Sequence, residues 1–350
     1  MSGEDQIFIR KGKRIRLEAF QHQVGGHTPI FKCGYSTVCK AFNRREYFIY
    51  ISASPELESF LPKLIGLMEV GYAHSEGDIE IYGQQIQLLD KDRFLYKKEN
   101  QFLLKSDCPQ KDVTEEVHRS SVEKLFLHSD RLQPSTGISN PYSNSTYVRA
   151  LERLKDRKPP HYFTLLEDLT HSFSRPCVLD LKMGTRLYGD DASEERVVFH
   201  KIQSEMTTSC RLGVRVGGMQ LFKREQNKYL CYGKHHGKAL DDEGFKECIL
   251  EFVKHNNNFR FDLIGILVER LKTLRKIILK MDGWRFFSSS LLIIYEGFEA
   301  STSRIDIKMI DFTRSTNGKF LDDRIVHNGP DDGYILGINT LINIFENLGS

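Results

Sequence analysis

The order of hydrophobic periodicities in this 350-residue chain, strands early and mixed strands with long helices later, is compatible with an α+β fold. Short alternating segments come early: Ile30 to Cys39 around a glycine turn, then Asp78 to Leu104 with Ile79, Ile81, Ile86, Leu88, Phe94, Tyr96, Phe102 and Leu104. Long helices come late. Asn258 to Met281 carries Leu263, Ile266, Leu267, Leu271, Leu274, Ile277 and Ile278 on one wide apolar stripe, the mark of a helix with a buried face. Between these parts lies a short apolar strand that contains charges, Pro176-Cys-Val-Leu-Asp180-Leu-Lys182-Met-Gly184.

That strand organises the chain. Side chains two apart on a strand face the same side, so Asp180 and Lys182 share a face. Neither charge is tolerated in a core unless it is paired or faces a polar cleft. Gly184 lets the backbone turn sharply or approach a ligand. A structural ion pair at a strand end and a functional pair in a cleft both satisfy these constraints.

Length and composition set the bounds. A chain of this size can bury a sizeable core, in one large domain or two lobes. The formal net charge of +3 gives no global polybasic character, so an anion site must be local. The N-terminus has no hydrophobic signal core, and the most apolar run, Ser290 to Tyr295, is far too short to span a membrane. The seven cysteines are scattered, without a Cys-x-x-Cys pair, which fits reduced thiols inside the cell, cytoplasmic or nuclear.

In chain order, Phe20 to His27 is a glycine turn between strands, either a plain hairpin or a cover for nucleotide phosphates through its N–H groups. Lys40 ends the next strand, and Arg44 to Ala53 reads as a helix carrying Glu46. A lysine so placed is a solvated surface residue or a phosphate-binding point charge oriented by Glu46. Glu115 to Leu132 reads as an amphipathic helix and Gln133 to Tyr147, rich in Ser, Asn, Pro and Gly, as a loop or linker. His161 to Thr170 is a strand running into a polar turn. Asp191 to Met206 is a helix with Arg196, His200 and Lys201 near one face. From Arg196 to Lys238 nine Lys and Arg meet only two acids, Glu205 and Glu225. That excess is either a solvated or nucleic-acid-facing surface or a pocket for a small, very highly phosphorylated anion, and without clearly interleaved aromatics or a recognition helix the pocket is favoured. Arg304 to Phe312 alternates and places Asp311 at a strand end, where a carboxylate suits Mg2+ or caps a turn.

Several motifs, in order, resemble the inositol polyphosphate kinase family. They are Gln23-Val-Gly-Gly-His27, Phe60-Leu-Pro, Leu166-Glu-Asp-Leu-Thr170, the Pro-x-x-x-Asp-x-Lys-x-Gly of 176–184, Ser290-Leu-Leu, Ile310-Asp-Phe312 and Asp331-Asp-Gly-Tyr-Ile-Leu-Gly337. The stretch Thr313-Arg314-Ser315 departs from the small residue and histidine that the pattern leads one to expect. The resemblance implies a two-lobed kinase-like fold. A small antiparallel-sheet lobe would span 1–165, with a variable insertion near 105–147. A larger mixed lobe would span 166–350, with ATP between the two. It implies Lys40 at the ATP phosphates, the backbones of Glu167 and Leu169 at the adenine edge, and Asp311 on Mg2+ with Ser290 assisting. Lys182 would face the transferred phosphoryl and the substrate. Asp180 would stand beside it as a ribose contact or proton acceptor, and Lys201 and Arg211 would contact substrate. Soluble inositol phosphates are the implied partners, with neither nucleic acid nor a membrane span. The run Thr208 to Gln220 is most similar to that of the inositol hexakisphosphate kinases. A multikinase acting on hydroxyls of inositol tris- or tetrakisphosphates is the alternative. A non-catalytic inositol-phosphate-binding module is disfavoured because Lys40, Asp180, Lys182 and Asp311 are all retained. A protein kinase is disfavoured because His-Arg-Asp and Asp-Phe-Gly are missing.

Overall fold

The alternating and helical segments resolve, in the computed structural model, over residues 9–26, 28–75, 78–88, 135–137, 141–156, 158–255, 258–298, 304–318, 320 and 325–349. The strand positions expected beyond Leu88, the helix expected over 115–132 and His27 lie outside these described residues. The chain begins with β1 (Ile9–Arg16), β2 (Glu18–Ala19), β3 (Ile30–Cys33) and β4 (Thr37–Ala41). Helices α1 (Arg44–Ser52) and α2 (Pro55–Glu58) follow, then β5 (Leu64–Ser75), β6 (Asp78–Leu88), β7 (Ser135–Gly137), α3 (Pro141–Asp156), β8 (His161–Glu167) and β9 (Pro176–Met183). The C-terminal part adds α4 (Glu194–Glu205), α5 (Thr208–Leu212), β10 (Val214–Lys223), β11 (Lys228–Tyr232), α6 (Lys234–Ala239) and α7 (Asp242–Phe252). A short pair, β12 (Lys254–His255) and β13 (Asn258–Phe259), precedes α8 (Phe261–Ile278), β14 (Ser290–Glu296), β15 (Ile305–Ile310) and α9 (Asp332–Glu346).

Among the described residues two large antiparallel sheets result, beside the two-stranded β12–β13 pair. The first has the order β1-β6-β5-β8-β4-β3-β2 and the second β15-β14-β9-β10-β11-β7. The largest core lies under the second sheet. There the faces of α7, α8 and α9 meet alternate residues of β9, β10, β14 and β15. On α8 the buried stripe is Leu263, Ile264, Leu267, Val268, Leu271, Leu274 and Ile278, whereas Ile266, expected on it, points outward. The first sheet has a smaller core of its own around Phe31, Met68, Ile81 and Phe163.

Within 133–147, the described residues 135–137 and 141–147 correct the expectation of a loop. Pro141 opens α3, a position where proline's missing N–H and fixed φ cost nothing. Its polar first turn hides a helix whose Ala150 and Leu154 are buried against the first sheet. Ser135–Gly137 becomes a strand only by pairing with Tyr229–Cys231, far away in sequence. That pairing carries β7 into the second sheet, while β8, which ends at Glu167, belongs to the first.

Every residue of β9 is buried, since β10 and β14 flank it on both edges. Its two-residue period sends Cys177, Leu179, Leu181 and Met183 into the large core. Val178, Asp180 and Lys182 therefore take the opposite face, toward the first sheet.

Candidate active site

Register builds the site across that face. Ser290 of β14 and Arg215 of β10 both lie opposite Lys182, and Ile310 lies opposite Ser290. One row thus runs Ser290, Lys182, Arg215, and the residue after Ile310 is Asp311. Asp311 adopts φ 67°, a left-handed conformation uncommon for a residue with a Cβ, which turns its carboxylate into the row. Lys182 donates to Ser290 Oγ and to Asp311 Oδ2 at 3.0 Å, and its Nζ lies 3.6 Å from Asp180 Oδ2.

The first sheet supplies the other cation. Asn43 caps α1 by accepting from the Glu46 amide, which sets Glu46 on the first turn facing β4. Lys40 then donates to Glu46 Oε1 at 3.0 Å and to Asp311 Oδ1. Asp311 thus bridges two lysines and joins the two sheets. Burial works against the charge on each lysine, but the carboxylates outweigh it. Asp311 and Glu46 raise the pKa of Lys40, and Asp180 and Asp311 raise that of Lys182. Burial likewise opposes ionisation of Asp311, yet Lys40 and Lys182 hold its carboxyl well below the usual carboxylate range.

The glycine turn closes over this cluster. Gln23 ties it internally, donating to Gly25 O and Thr28 O and accepting from the Ile30 amide. Gly26 needs its freedom, with φ 82°. The turn's backbone approaches so closely that a Cβ on Gly25 would lie 2.2 Å from Asp180 Oδ2.

Arg215 was not singled out by the sequence reading. It is only 8% exposed, and its Nε has no hydrogen-bond partner among the described residues. Burial pulls its pKa down to about 10, Asp180 counters this, and Arg314 adds to the fall. The same alternation that marks Asp180 and Lys182 would have found it, because Val214-Arg215-Val216 is an arginine between two core valines. Arg314, the departure noted after Asp311, donates to Leu187 O at 2.6 Å. It also contributes, after burial, to lowering the His200 pKa to about 4. His200 is buried on α4 with Nδ1 unpartnered among the described residues. Of the basic segment, Arg215 stands in the Lys182 row, and His200 lies on α4 within the field of Arg314.

Lys201 is exposed on α4, one residue from His200. Arg211 is exposed on α5 and held by a bidentate pair with Asp242, at 2.7 to 3.1 Å. The structure does not bring Arg211 to the cluster. At the expected hinge, the Glu167 amide already donates to Lys63 O, and Leu169 packs with Val24, Val178 and Ile294 beside the glycine turn. Asp168, also missed, is fully buried and anchors this bend through the Thr170 amide and hydroxyl and through Lys32.

The donor set suits a hard divalent cation. Asp180 and Asp311 offer carboxylate oxygens on either side of one ammonium, and Asp180 Oδ1 is buried without a hydrogen-bond partner among the described residues. Mg2+ takes one or two such carboxylates and completes its shell with phosphate oxygens and water. Two buried lysines, two carboxylates and a glycine turn between two sheets define a site for phosphoryl transfer. The family model described as inositol polyphosphate kinase matches residues 163–346. Among curated proteins, inositol hexakisphosphate kinase 1 of Mus musculus is 34% identical, covering 97% of this chain and 95% of its own. Inositol hexakisphosphate kinase 3 of the same species is 31% identical, with 96% of each chain covered. Among solved structures, the inositol phosphate multikinase of S. cerevisiae in complex with ADP and Mn2+ is 24% identical with a TM-score of 0.47, covering 63% of this chain and 90% of that one. The chain belongs to the inositol polyphosphate kinase family.

Proposed function

We propose that the protein is an ATP-dependent inositol phosphate kinase whose main acceptor is inositol hexakisphosphate, which it converts to a diphosphoinositol polyphosphate. One observation carries the reading: Lys40, Asp180, Lys182 and Asp311 meet in one buried cluster, with Arg215 opposite Lys182 in the same row. The names of the full-length relatives support hexakisphosphate as the acceptor.

Phosphoryl transfer asks little covalent chemistry of a protein, so positioning and charge neutralisation dominate. Lys40, oriented by Glu46, holds the nucleotide phosphates. Asp311 and Asp180 would hold Mg2+, which would supply charge neutralisation at the phosphate oxygens. Lys182 lies between these carboxylates and Arg215, where it neutralises the transferred phosphoryl. Arg215 and Arg314 receive acceptor phosphates, and exposed Lys201 adds a rim charge. A phosphate acceptor is already ionised near neutral pH, its second pKa being about 6, so no general base is needed. Asp180 then acts by orienting Lys182 and would also be available to a metal. A hydroxyl acceptor, as in the multikinase alternative, would require a proton acceptor.

Described residues contain no helix long and apolar enough to cross a membrane. With buried free cysteines at 33, 39, 177, 231 and 248, we place the protein in a reducing compartment. Full-length tagged protein found secreted would overturn that placement. The function is tested with purified protein, labelled ATP and a panel of inositol phosphates resolved by anion exchange. A product retained longer than hexakisphosphate supports the reading. Products from tris- and tetrakisphosphates alone point to a multikinase. Binding without transfer makes it a binding module.

A further inference from the structure

We propose that the bulge of β10, Gly217-Gly218, together with Gln220, forms the seat on which the Val24–Gly26 turn closes, and that this seat sets nucleotide affinity. The proposal rests on the nucleotide reading above and adds positioning residues to it. A register shift lies between Val216, opposite Leu181, and Gly218, opposite Asp180, so Gly217 is an extra residue in β10. The extra residue lets Val216 and Met219, three apart, both enter the large core. It also leaves two successive positions without a side chain beside Asp180.

Neither glycine is there for backbone freedom, since neither has a positive φ. Space is the reason. A Cβ on Gly218 would lie 1.9 Å from Val24 O, and one on Gly217 would lie 2.9 Å from Asp180 Oδ1. From the other side, Gly25 presses on Asp180 Oδ2. Turn backbone, Asp180 carboxylate and bulge backbone are thus stacked with no side chain between them, as where two backbones must approach closely.

Gln220 fastens the same turn. It is 1% exposed, lies opposite Val178, and its Nε2 lies 2.8 Å from His22 Nδ1 and 3.3 Å from Pro176 O. Burial lowers the His22 pKa to about 4, so at neutral pH the ring is neutral and Nδ1 can accept. One amide therefore links the turn's first residues to the start of β9. The turn is fixed internally by Gln23 and from outside by Gln220 and the bulge.

The test compares Gly218→Ala and Gln220→Leu with the parent, and with Gly265→Ala on α8, where a Cβ meets open space. Both KM values, kcat, Mg-ATP affinity by calorimetry and Tm are measured on the full chain. Gly218→Ala should raise the ATP KM and the calorimetric Kd at least tenfold while the acceptor KM stays within twofold. Gln220→Leu should raise them about threefold, the loss of one net hydrogen bond. Gly265→Ala should match the parent. If Gly218→Ala does not fold, Gln220→Leu decides alone. A parent that binds Mg-ATP and a folded variant that binds it equally well would overturn the seat. So would an equal rise in both KM values, which a general loosening of structure predicts. A parent that binds no Mg-ATP would overturn the nucleotide reading itself, and the seat with it.

Discussion

Replacing Asp311 by asparagine removes the one carboxylate shared by both lysines. Lys40 keeps Glu46 at 3.0 Å, and Lys182 keeps Asp180 at 3.6 Å. Breaking a buried ion pair costs about 3–5 kcal/mol, and with the Asp311 side chain 24% exposed the expected loss is about 2–4 kcal/mol. For 350 residues, unfolding entropy scales so that this lowers Tm by about 3–5 °C. The loss should depend on pH with a definite sign. The folded carboxyl is held far below its unfolded value of about 3.9. Its contribution is therefore complete above about pH 5 and is lost as pH falls toward the folded pKa, by about 1.4 kcal/mol per pH unit. Urea unfolding of parent and variant, near pH 7 and near pH 3, should show the gap narrowing by about 1 kcal/mol. Transfer of phosphoryl at pH 7 should be abolished in the same variant. An unchanged stability gap between the two pH values would refute the bridging role. Retained activity at saturating Mg2+ would remove Asp311 from the metal site.

Lys182→Ala should lower kcat about 100- to 1,000-fold, the usual effect of losing a transition-state charge contact, with little change in ATP KM; the reverse pattern in steady-state kinetics would move Lys182 to the nucleotide. Arg215→Ala should raise the acceptor KM, more for hexakisphosphate than for a trisphosphate, because each added phosphate enters the same field. Arg211→Ala, which loses only a surface pair with Asp242, should change that KM less than about threefold by the small worth of exposed pairs; equal effects of the two substitutions would place the acceptor on α5 instead. Added salt should raise the hexakisphosphate KM of the parent more than its ATP KM, as titration of initial rates would show, since several acceptor phosphates bind in one cationic field.

Much of the site was legible because it depends on local order. Two-residue alternation on β9 places Asp180 and Lys182 together on the non-core face, and alternation through Ile305, Ile307 and Met309 leaves Asp311 at a strand end. The 3.6-residue period marks α8, with Ile266 misplaced because a wide stripe does not say where its edge lies. Helix α1 was read over Arg44 to Ala53 with Glu46 on it, and the structure adds its Asn43 cap. Pairing between distant segments was not legible. The contact of Lys40 with Asp311 spans 271 positions, and that of Gln220 with His22 spans 198. The row Ser290, Lys182, Arg215 exists only because β14 and β10 take one register on β9. Residues 135–137 become β7 only through β11, and the glycines at 25, 217 and 218 explain themselves only once the turn lies on the bulge. The sequence by itself determined which residues share a face, since the period of a strand or helix is set by its own backbone. The tertiary structure decided which faces meet, since that follows from burying the apolar sides of all the elements at once, which no single stretch encodes.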